Sequence, residues 1–159
     1  LIAVDLDEGD SLSWVRVTSG HDDLVVATKK GMAIRFHETD ARELSRTARG
    51  VRVMKLEEGD CIVGMSILRE GGLVLTVTET GYGRLSEQDN YRLQKRGGKG
   101  LINYHTERFG DVAAIKVVDL DDDVILISED GVIIRIATSS TTLWPWCSGE
   151  RRRFWRRRT

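Results

Sequence analysis

Long apolar runs are absent from this sequence, and its two cysteines form no recognisable motif. No apolar stretch reaches the roughly 18 residues that a membrane helix needs, and no signal-peptide pattern stands at the N-terminus. Cys61 and Cys147 lie far apart, without the spacing of a metal site or a redox motif. We therefore expect idle or buried thiols in a reducing compartment, with the cytoplasm as the location and no membrane partner. The chain also lacks an initiator Met, so we interpret it as a fragment.

The formal net charge of −1 conceals two unlike parts of the chain. Residues 137–159 hold six Arg and one Glu, which leaves 18 basic and 24 acidic residues, a net charge of −6, in residues 1–136. This balance excludes a nucleic-acid binder that is basic throughout, but it allows a protein whose charges are segregated.

Motifs for nucleotide, metal or covalent chemistry are missing or incomplete. A P-loop needs Ser or Thr after its Lys, but Gly100 follows Lys99. The stretch DLDDDV resembles the start of a calcium loop, but Val124 stands where that loop needs Gly. We interpret His21, His37 and His105 as surface or turn residues, and Tyr91 and Tyr104 as packing residues rather than nucleophiles.

A repeat of 50 residues runs through the sequence. Gly31, Gly81 and Gly131 are spaced by 50, and each follows an apolar run that ends in Thr or Ser. A second apolar segment comes after each of these glycines. Such self-similarity at a fixed period is typical of repeat architectures. The other positions that keep the period are Gly50 with Gly100, and the segment starts Leu1, Val51 and Leu101.

Each repeat is predicted to form β-strands, because its Val, Ile, Leu and Thr runs are too short for helices and are bounded by turn residues. The sequences KKG, ETG and EDG place Gly where a tight hairpin turn needs a positive φ. Besides this hairpin, each unit has an earlier strand such as VRVMKL (51–56) and another such as IVGMSIL (62–68). Four antiparallel strands per unit predict an all-β, propeller-like fold, with 37–49 and 86–99 as connectors over the outside of a blade.

The basic residues follow the same period. There are five cations and one acid from Arg42 to Lys55, and five cations and two acids from Arg84 to Lys99. The acids concentrate in three other segments: 5–10, 57–60 and 119–123. We therefore expect one basic and one acidic edge on each blade, with the cations of stacked blades aligned in a stripe. The cations that match across the repeat are Arg42 with Arg92, Arg46 with Arg96, and Arg49 with Lys99.

Residues 94–100 read QKRGGKG and fill every position of the box Gln-(Arg/Lys)-Arg-Gly-Gly-(Arg/Lys)-Gly. With this box inside a 50-residue repeat, residues 1–136 resemble the C-terminal domain of the DNA gyrase A subunit. The resemblance implies a β-pinwheel, a propeller-like spiral of about six blades that exchange strands. This chain would hold an incomplete ring, made of repeats 1–50 and 51–100 and part of a third, 101–136.

The resemblance also implies a function. The basic rim of the family wraps duplex DNA, so that the holoenzyme, a heterotetramer of gyrase A and gyrase B subunits, introduces negative supercoils with ATP. The fragment would then not be an enzyme by itself. It would be an accessory DNA-binding part of an ATP-dependent type IIA topoisomerase in the bacterial cytoplasm, associated with the chromosome. It would need no cofactor of its own, because ATP and Mg serve other parts of the holoenzyme.

Phosphate chemistry agrees with this expectation. Lys and Arg neutralise phosphates and release counterions, and glycines let the backbone approach a phosphate and offer amide donors. Bending 20–30 base pairs by 40–90° costs about 1–6 kcal/mol, which calls for contacts spread over several blades. The expected DNA-binding residues are Gln94, Lys95, Arg96, Gly97, Gly98, Lys99, Gly100, Arg42, Arg46, Arg49 and Arg92.

Alternatives to this interpretation exist. The topoisomerase IV A subunit carries a related domain, usually without an intact box. A propeller used for protein interaction, such as a kelch-type array, is favoured only by the pair Gly71 and Gly72, because its usual aromatic partners are missing. The family's box stands in the first blade, whereas a complete repeat precedes it here, so QKRGGKG is alternatively a secondary copy with a lesser role.

Residues 137–159 break the repeat. Trp146 and Glu150 stand where the repeat would place Arg and Gly, and the segment has three of the four Trp, the only Pro and no Lys. We interpret it as an out-of-frame or disordered tail. The alternative is a native basic tail whose Arg and Trp side chains contact DNA or membrane. In either case the last blade should lack its closing strand and expose strand edges and apolar surface.

Overall fold

The computed structural model describes residues 4–44 and 48–141 and the backbone of Arg152 and Arg153. Within these residues the chain forms ten strands and one short helix, α1 (Thr106–Phe109). Single 3-10 turns follow three of the strands, at Glu38–Asp40, Gln88–Asn90 and Thr138–Ser140. The strands are β1 (Asp23–Thr28), β2 (Met32–His37), β3 (Ile62–Ile67), β4 (Leu73–Thr78), β5 (Tyr82–Glu87), β6 (Leu101–Ile102), β7 (Val112–Val118), β8 (Asp123–Ile127), β9 (Ile133–Ala137) and β10 (Arg152–Arg153).

The strands form three antiparallel sheets, which confirms the prediction of an all-β chain. The first sheet has the order β3-β1-β2-β6 and the second has the order β10-β5-β4-β7, while the third consists of β8 and β9 among the described residues. The first two hairpins therefore receive strands from later repeats. The first sheet combines residues of the first, second and third 50-residue units, so neighbouring units exchange strands.

One strand prediction is wrong. Residues 51–56, VRVMKL, do not form a strand. Met54 instead turns inward and packs against Leu24, Val26 and Phe36 of the first sheet, with only 3% of its surface exposed. Alternation of apolar and basic residues suggested a strand, but here the apolar side chains cover the face of a sheet whose hydrogen bonds are already made by other strands.

The glycines of the three hairpin turns have the positive φ that was predicted. Gly31, Gly81 and Gly131 have φ values of 85°, 82° and 78°. In each turn the glycine amide donates to the carbonyl of the residue three positions earlier, as in the 3.1 Å bond from Gly31 to Thr28. The 50-residue repeat is thus also a repeat of backbone conformation.

The largest hydrophobic cluster of the described residues lies between the first and second sheets. Val25 and Ala27 of β1 pack against Val74 of β4, together with Ile115 and Val117 of β7. All five side chains are at most 6% exposed. The approach is close at Gly64 of β3, where an added Cβ would stand 2.8 Å from the Ile115 Cγ2 atom.

Ion pairs at the surface join equivalent positions of successive repeats. The Lys29 ammonium lies 3.0 Å from the Glu79 carboxylate, and the Arg69 guanidinium lies 2.7 Å from the Asp119 carboxylate. Hydrogen bonding to Glu79 is the main reason why the pKa of Lys29 lies above its ordinary value. These pairs are largely exposed, so they fix the registration of the sheets more than they stabilise the fold.

The third sheet leaves apolar side chains in solvent. Ile125, Ile127 and Ile133 are 57%, 69% and 62% exposed. This agrees with the expectation that the last blade exposes apolar surface, and among the described residues β8 and β9 pair only with each other.

The predictions for the tail concern residues that mostly lie outside those described. The repeated geometry continues through the 3-10 turn at Thr138–Ser140, and the short strand β10 pairs with β5 at Tyr82 and Gly83. β6 pairs with β2 in the same way, at Met32 and Ala33. The interpretation of residues 137–159 as an out-of-frame or disordered tail stays a prediction.

In the part of the chain that the structure describes, no helix has the length and apolar character needed to cross a membrane. Over the same residues, no three His, Cys, Asp or Glu side chains lie close enough together to hold a metal ion. Cys61 is exposed and unpaired, and Cys147 lies outside the described residues.

Candidate nucleic-acid interface

The connector that carries the QKRGGKG box is hydrogen-bonded to the β2 edge of the first sheet. The Gln94 amide donates to the Arg35 carbonyl over 2.9 Å, and Leu93 forms a parallel bridge with Arg35. The Arg35 guanidinium also donates to the Tyr91 carbonyl at 3.4 Å and pairs with Asp23 at 2.6 Å. A cross-strand ion pair of the first repeat therefore holds the connector of the second.

Tyr91 anchors the start of this connector in the core. The side chain has no exposed surface, and its hydroxyl donates to the Asn103 Oδ1 atom over 2.6 Å. Burial raises the pKa of Tyr91 above its ordinary value. Tyr104 is likewise buried, with the Arg84 guanidinium 5.8 Å from its ring centre. Both tyrosines are packing residues, as the sequence predicted.

Arg96 holds three segments together. Its Nε atom donates to the Asp40 carbonyl at 2.6 Å, and one terminal nitrogen donates to the Arg52 carbonyl at 3.2 Å. The side chain is half-buried. The Arg96 guanidinium thus links the end of the first hairpin, the start of the second repeat and the box.

The glycines of the box have different structural roles. Gly97 has a φ of 86°, and its amide donates to the Val53 carbonyl at 2.6 Å. The Gly98 carbonyl accepts from the Lys55 amide at 2.9 Å. An added Cβ would meet nothing within 4 Å at Gly97, but at Gly100 it would stand 2.4 Å from the Ala33 carbonyl oxygen. Gly100 is therefore required by the close approach of β2, and the Gly97 amide is occupied by a protein carbonyl.

Gln94 is partly buried beside this loop. Its Nε2 atom is buried and has no hydrogen-bond partner among the described residues, and its Oε1 atom lies near Gly98. The side chain therefore faces the inside of the loop, and its backbone amide supports the connector. In this structure Gln94 is a support of the loop that presents Lys95.

Exposed cations from the three converging segments form the feature that we call the basic edge. Residues 40–42, 52–55 and 92–99 are brought together by the hydrogen bonds of Arg96, Gly97 and Lys55. The six cations of the basic edge, none of them buried, are Arg42, Arg52, Lys55, Arg92, Lys95 and Lys99.

Two members of the basic edge, Arg52 and Lys55, were not among the predicted site residues. Both belong to the charge run from Arg42 to Lys55, so the sequence signal was present. The predicted cations were those with a basic match in the next repeat. Arg52 and Lys55 have no such match, because Ile102 and His105 stand 50 residues after them. The loop docking that brings them to Lys95 has no simple sequence signal.

Other predicted cations lie elsewhere or pair differently. Arg49 is exposed and lies 3.2 Å from the Asp7 carboxylate, so an acidic segment and a basic segment meet at this point. Arg46 lies outside the described residues. Arg84 was counted in the exposed basic run that ends at Lys99, and this prediction is wrong. The Arg84 side chain is 6% exposed and donates to Asn103 in the core.

A family model described as "DNA gyrase C-terminal domain, beta-propeller" matches the chain in four segments, residues 1–19, 22–69, 72–119 and 122–140. Three of these segments start 50 residues apart, in agreement with the repeat. The DNA gyrase A protein of Haloquadratum walsbyi is 44% identical over 138 residues, and that of Staphylococcus aureus is 42% identical over the same length. Each alignment covers 85% of this chain and 16% of the relative, so the chain spans a small part of these proteins.

Solved structures show the same fold. A structure of a DNA gyrase A C-terminal domain superposes with a TM-score of 0.81 at 27% identity, over 91% of this chain and 50% of that chain. The C-terminal domain of a DNA topoisomerase IV superposes with a TM-score of 0.83 at 21% identity, over 89% of this chain and 45% of the other. At that identity the second likeness shows the fold alone.

Proposed function

Because this chain belongs to the DNA gyrase C-terminal domain family, we propose that its basic edge binds duplex DNA without reading the base sequence. Within a longer gyrase A protein, this binding would curve DNA around the blades. It would thereby support ATP-dependent supercoiling by the complex of gyrase A and gyrase B in the bacterial cytoplasm. In this proposal the present chain only binds DNA phosphates, and the ATP-dependent chemistry belongs to its partners.

The observation that carries the proposal is the convergence of three basic segments. Arg96 hydrogen-bonds to carbonyls at Asp40 and Arg52, and the box docks on Val53 and Lys55. These bonds use backbone groups and the Arg96 guanidinium, which leaves the other cations of the basic edge accessible to solvent. A surface of like charges held by a rigid scaffold is what a polyanion needs.

Sequence-independent binding follows from the kind of contacts available. The three segments of the basic edge present long Lys and Arg side chains and contain no α-helix and no strand that could enter the major groove. Contacts to phosphates fix position but carry no base information. Each neutralised phosphate should contribute about −0.9 to the slope of log K against log salt.

Curving the duplex requires more than one blade. A bend of 40–90° over 20–30 base pairs costs about 1–6 kcal/mol, which must be offset by contacts along an arc. The first two sheets are joined by the Lys29–Glu79 ion pair and by the close packing at Gly64, and we expect these contacts to set the angle between successive blades. A duplex that followed several such edges would be bent by the shape of the protein.

Fluorescence anisotropy with a short duplex tests the proposal. The triple variant Lys55→Gln, Lys95→Gln and Lys99→Gln should bind at least roughly tenfold more weakly, with a salt slope smaller by about 2–3, because each lysine contacts one phosphate. The matched control replaces three exposed lysines and arginines outside the basic edge, Lys30, Arg108 and Lys116, by Gln.

The two variants remove the same charge, so they separate a local contact from a general electrostatic attraction. Equal weakening in both would contradict the basic edge as the binding surface. A wild-type chain that is folded but has no salt-dependent affinity for DNA would contradict the proposal itself. That result would favour the protein-interaction propeller.

A further inference from the structure

A group of buried polar side chains lies inside the second repeat, between the hairpin β4–β5 and the residue that follows β6. The Asn103 Oδ1 atom accepts from the Tyr91 hydroxyl at 2.6 Å and from the Arg84 guanidinium at 3.2 Å. The Asn103 Nδ2 atom donates to the Thr76 hydroxyl at 3.1 Å. None of the four residues is more than 6% exposed. We call this group the polar clasp, and its members are Thr76, Arg84, Tyr91 and Asn103.

The first repeat fills the same positions with apolar side chains. The residues that stand 50 positions before the polar clasp are Val26, Ile34, Ala41 and Val53. All four belong to one hydrophobic cluster of the first sheet. An apolar set therefore suffices to build this part of a repeat, whereas a buried polar set is costly unless its hydrogen bonds are made. The fold of a repeat does not require the polar clasp, which indicates a use that is specific to the second repeat.

The polar clasp joins the two ends of the connector that carries the QKRGGKG box. Tyr91 stands directly before residues 92–102 of this connector, and Asn103 stands directly after them. The hydrogen bond from the Tyr91 hydroxyl to Asn103 therefore closes residues 92–102 into a loop, which we call the box loop. The box loop holds three of the six cations of the basic edge, Arg92, Lys95 and Lys99.

Hydrogen bonds at this place supply what apolar packing does not. Apolar contacts have no preferred direction, whereas hydrogen bonds have preferred distances and angles. The side chain of Asn103 makes its bonds to three different segments, and its backbone amide donates to the Gly31 carbonyl at 2.8 Å. The end of the box loop is thereby tied to the turn of the first hairpin, while the Gln94 amide ties its start to Arg35. The polar clasp thus holds the box loop in one orientation against the first sheet.

We propose that the residues of the polar clasp are positioning residues for DNA binding, which hold Lys95 and Lys99 in place before a phosphate arrives. The clasp residues are buried, so they act through the box loop and not by contact with DNA. A loop that is ordered in advance loses little conformational entropy on binding, whereas a loose loop must be ordered by the contact itself. The inference rests on the proposed function and adds the residues that set the geometry of its site.

Tyr91→Phe tests the proposal by fluorescence anisotropy with a short duplex over a series of salt concentrations. The variant removes one hydroxyl and keeps the buried ring, so the chain should stay folded by circular dichroism. Its affinity for the duplex should fall roughly fivefold. The slope of log K against log salt should stay the same, because the same cations meet the same phosphates. Loss of a lysine contact would lower that slope, and a loss of stability alone would change neither quantity while the chain is folded.

Two threonines of β4 provide a matched pair of variants. Thr76 and Thr78 are at most 2% exposed, but the Thr78 hydroxyl accepts from the Tyr82 amide at 3.2 Å and so belongs to the hairpin turn. Thr76→Val should weaken DNA binding in the same manner as Tyr91→Phe, whereas Thr78→Val should bind like the wild type. Wild-type affinity in Tyr91→Phe and Thr76→Val would overturn the proposal. Equal weakening by Thr76→Val and Thr78→Val would also overturn it.

Amide hydrogen exchange tests the box loop in the absence of DNA. In Tyr91→Phe the Gln94 and Gly97 amides, whose bonds dock the box loop, should exchange roughly tenfold faster than in the wild type. The Lys29 amide, at the turn of the first hairpin, should keep its rate. Unchanged exchange at Gln94 and Gly97 would overturn the polar clasp as a positioning device and leave the proposed function intact. A folded wild-type chain without affinity for DNA would overturn the proposed function, and with it the role of the clasp in DNA binding.

Discussion

The first and third hairpins of this chain have nearly the same local structure and very different surroundings. β1–β2 and β8–β9 share the antiparallel pairing, the turn glycine with positive φ and a cross-strand Arg–Asp ion pair. Yet Val25 has no exposed surface, whereas Ile125 is 57% exposed. Ala33 is fully buried, whereas Ile133 is 62% exposed. The hairpin is therefore a property of the repeat, and its burial is a property of its neighbours.

The second hairpin shows which part of the shared pattern can be replaced. Asp23 and Arg35 correspond to Leu73 and Leu85, so an apolar pair stands where the other two hairpins have an ion pair. Leu73 and Leu85 pack with Leu75 and Val118 in a small cluster of their own. The ion pair is thus not needed to form a hairpin. In the first repeat its additional use is to hold the connector of the box, through Arg35.

The largest expected difference concerns a charge placed on equivalent faces of the two hairpins. Val25→Asp should lower the free energy of unfolding by about 4 kcal/mol, because it buries an unpaired carboxylate between two sheets. Ile125→Asp should change it by less than about 0.5 kcal/mol, because the side chain is already in solvent. Urea unfolding of both variants measures the difference. A similar loss in both would mean that the third sheet is covered in solution.

The next largest difference in unfolding free energy is expected between alanine substitutions at two turn glycines. An added Cβ at Gly31 would stand 2.2 Å from the Tyr104 carbonyl oxygen, whereas at Gly131 it would meet nothing within 4 Å. Gly131→Ala should cost about 1 kcal/mol for the positive φ alone. Gly31→Ala should cost about 3 kcal/mol, because a steric clash with backbone is added. Thermal and urea unfolding check the order, and equal costs would contradict the close packing of residues 103–104 on the first turn.

Removing the ion pair should also cost more stability in the first hairpin than in the third, but by a smaller margin. Arg35 is 21% exposed and also donates to the carbonyls of Gln88 and Tyr91, whereas Arg135 is 73% exposed. Arg35→Leu should cost about 2 kcal/mol, while Arg135→Leu should stay within about 0.5 kcal/mol. The double variant Asp23→Leu and Arg35→Leu reproduces the residues of the second hairpin. It should be more stable than Arg35→Leu alone, since the unpaired Asp23 carboxylate is removed. Equal stability of the two variants would show that the loss comes mainly from the Arg35 bonds to the connector.

The smallest effect is a pH dependence that arises at Glu38 of the first repeat. Hydrogen bonds from the Thr18 hydroxyl and the Asp22 amide hold the pKa of Glu38 below its ordinary value of 4.5. A lowered pKa in the folded state gives stability that is present above the unfolded pKa and is lost as the pH falls through the folded pKa. Wild type should therefore exceed Glu38→Gln in stability near neutral pH, with the difference shrinking in acid. A difference that grows in acid would reverse the assigned sign. Thr138, at the equivalent position of the third repeat, has no such group.

The repeat, the hairpins and the turn glycines could be predicted from sequence because they depend on local patterns. Each turn glycine is determined by the positive φ of its own turn, and this holds for Gly31, Gly81 and Gly131. The apolar runs beside them are typical of strands in any sheet. The exchange of strands between units was expected from the family resemblance alone. The strand predicted at residues 51–56 is wrong because an alternating pattern does not show that the strands of the first sheet already pair with other segments. Arg84 was assigned to the surface because sequence cannot show that Asn103 and Tyr104 surround it.

The candidate site was predicted as a run of charges, and the structure divides that run into distinct parts. Lys95 and Lys99 are exposed, as phosphate contacts require, whereas Arg96 and Gly97 donate to carbonyls of Asp40, Arg52 and Val53. All four belong to the same box, so their spacing in sequence does not distinguish them. Only the docking of the loop on the first sheet does.

The most direct test of the central claim, that the basic edge holds and curves duplex DNA, is nicked-circle ligation in the presence of this chain. We predict a shift in linking number that fades as salt rises, and that is lost in the triple variant of Lys55, Lys95 and Lys99 but kept in the variant of Lys30, Arg108 and Lys116. Salt-dependent binding without any shift would limit the basic edge to holding DNA. A shift that persists unchanged in the triple variant would contradict the claim.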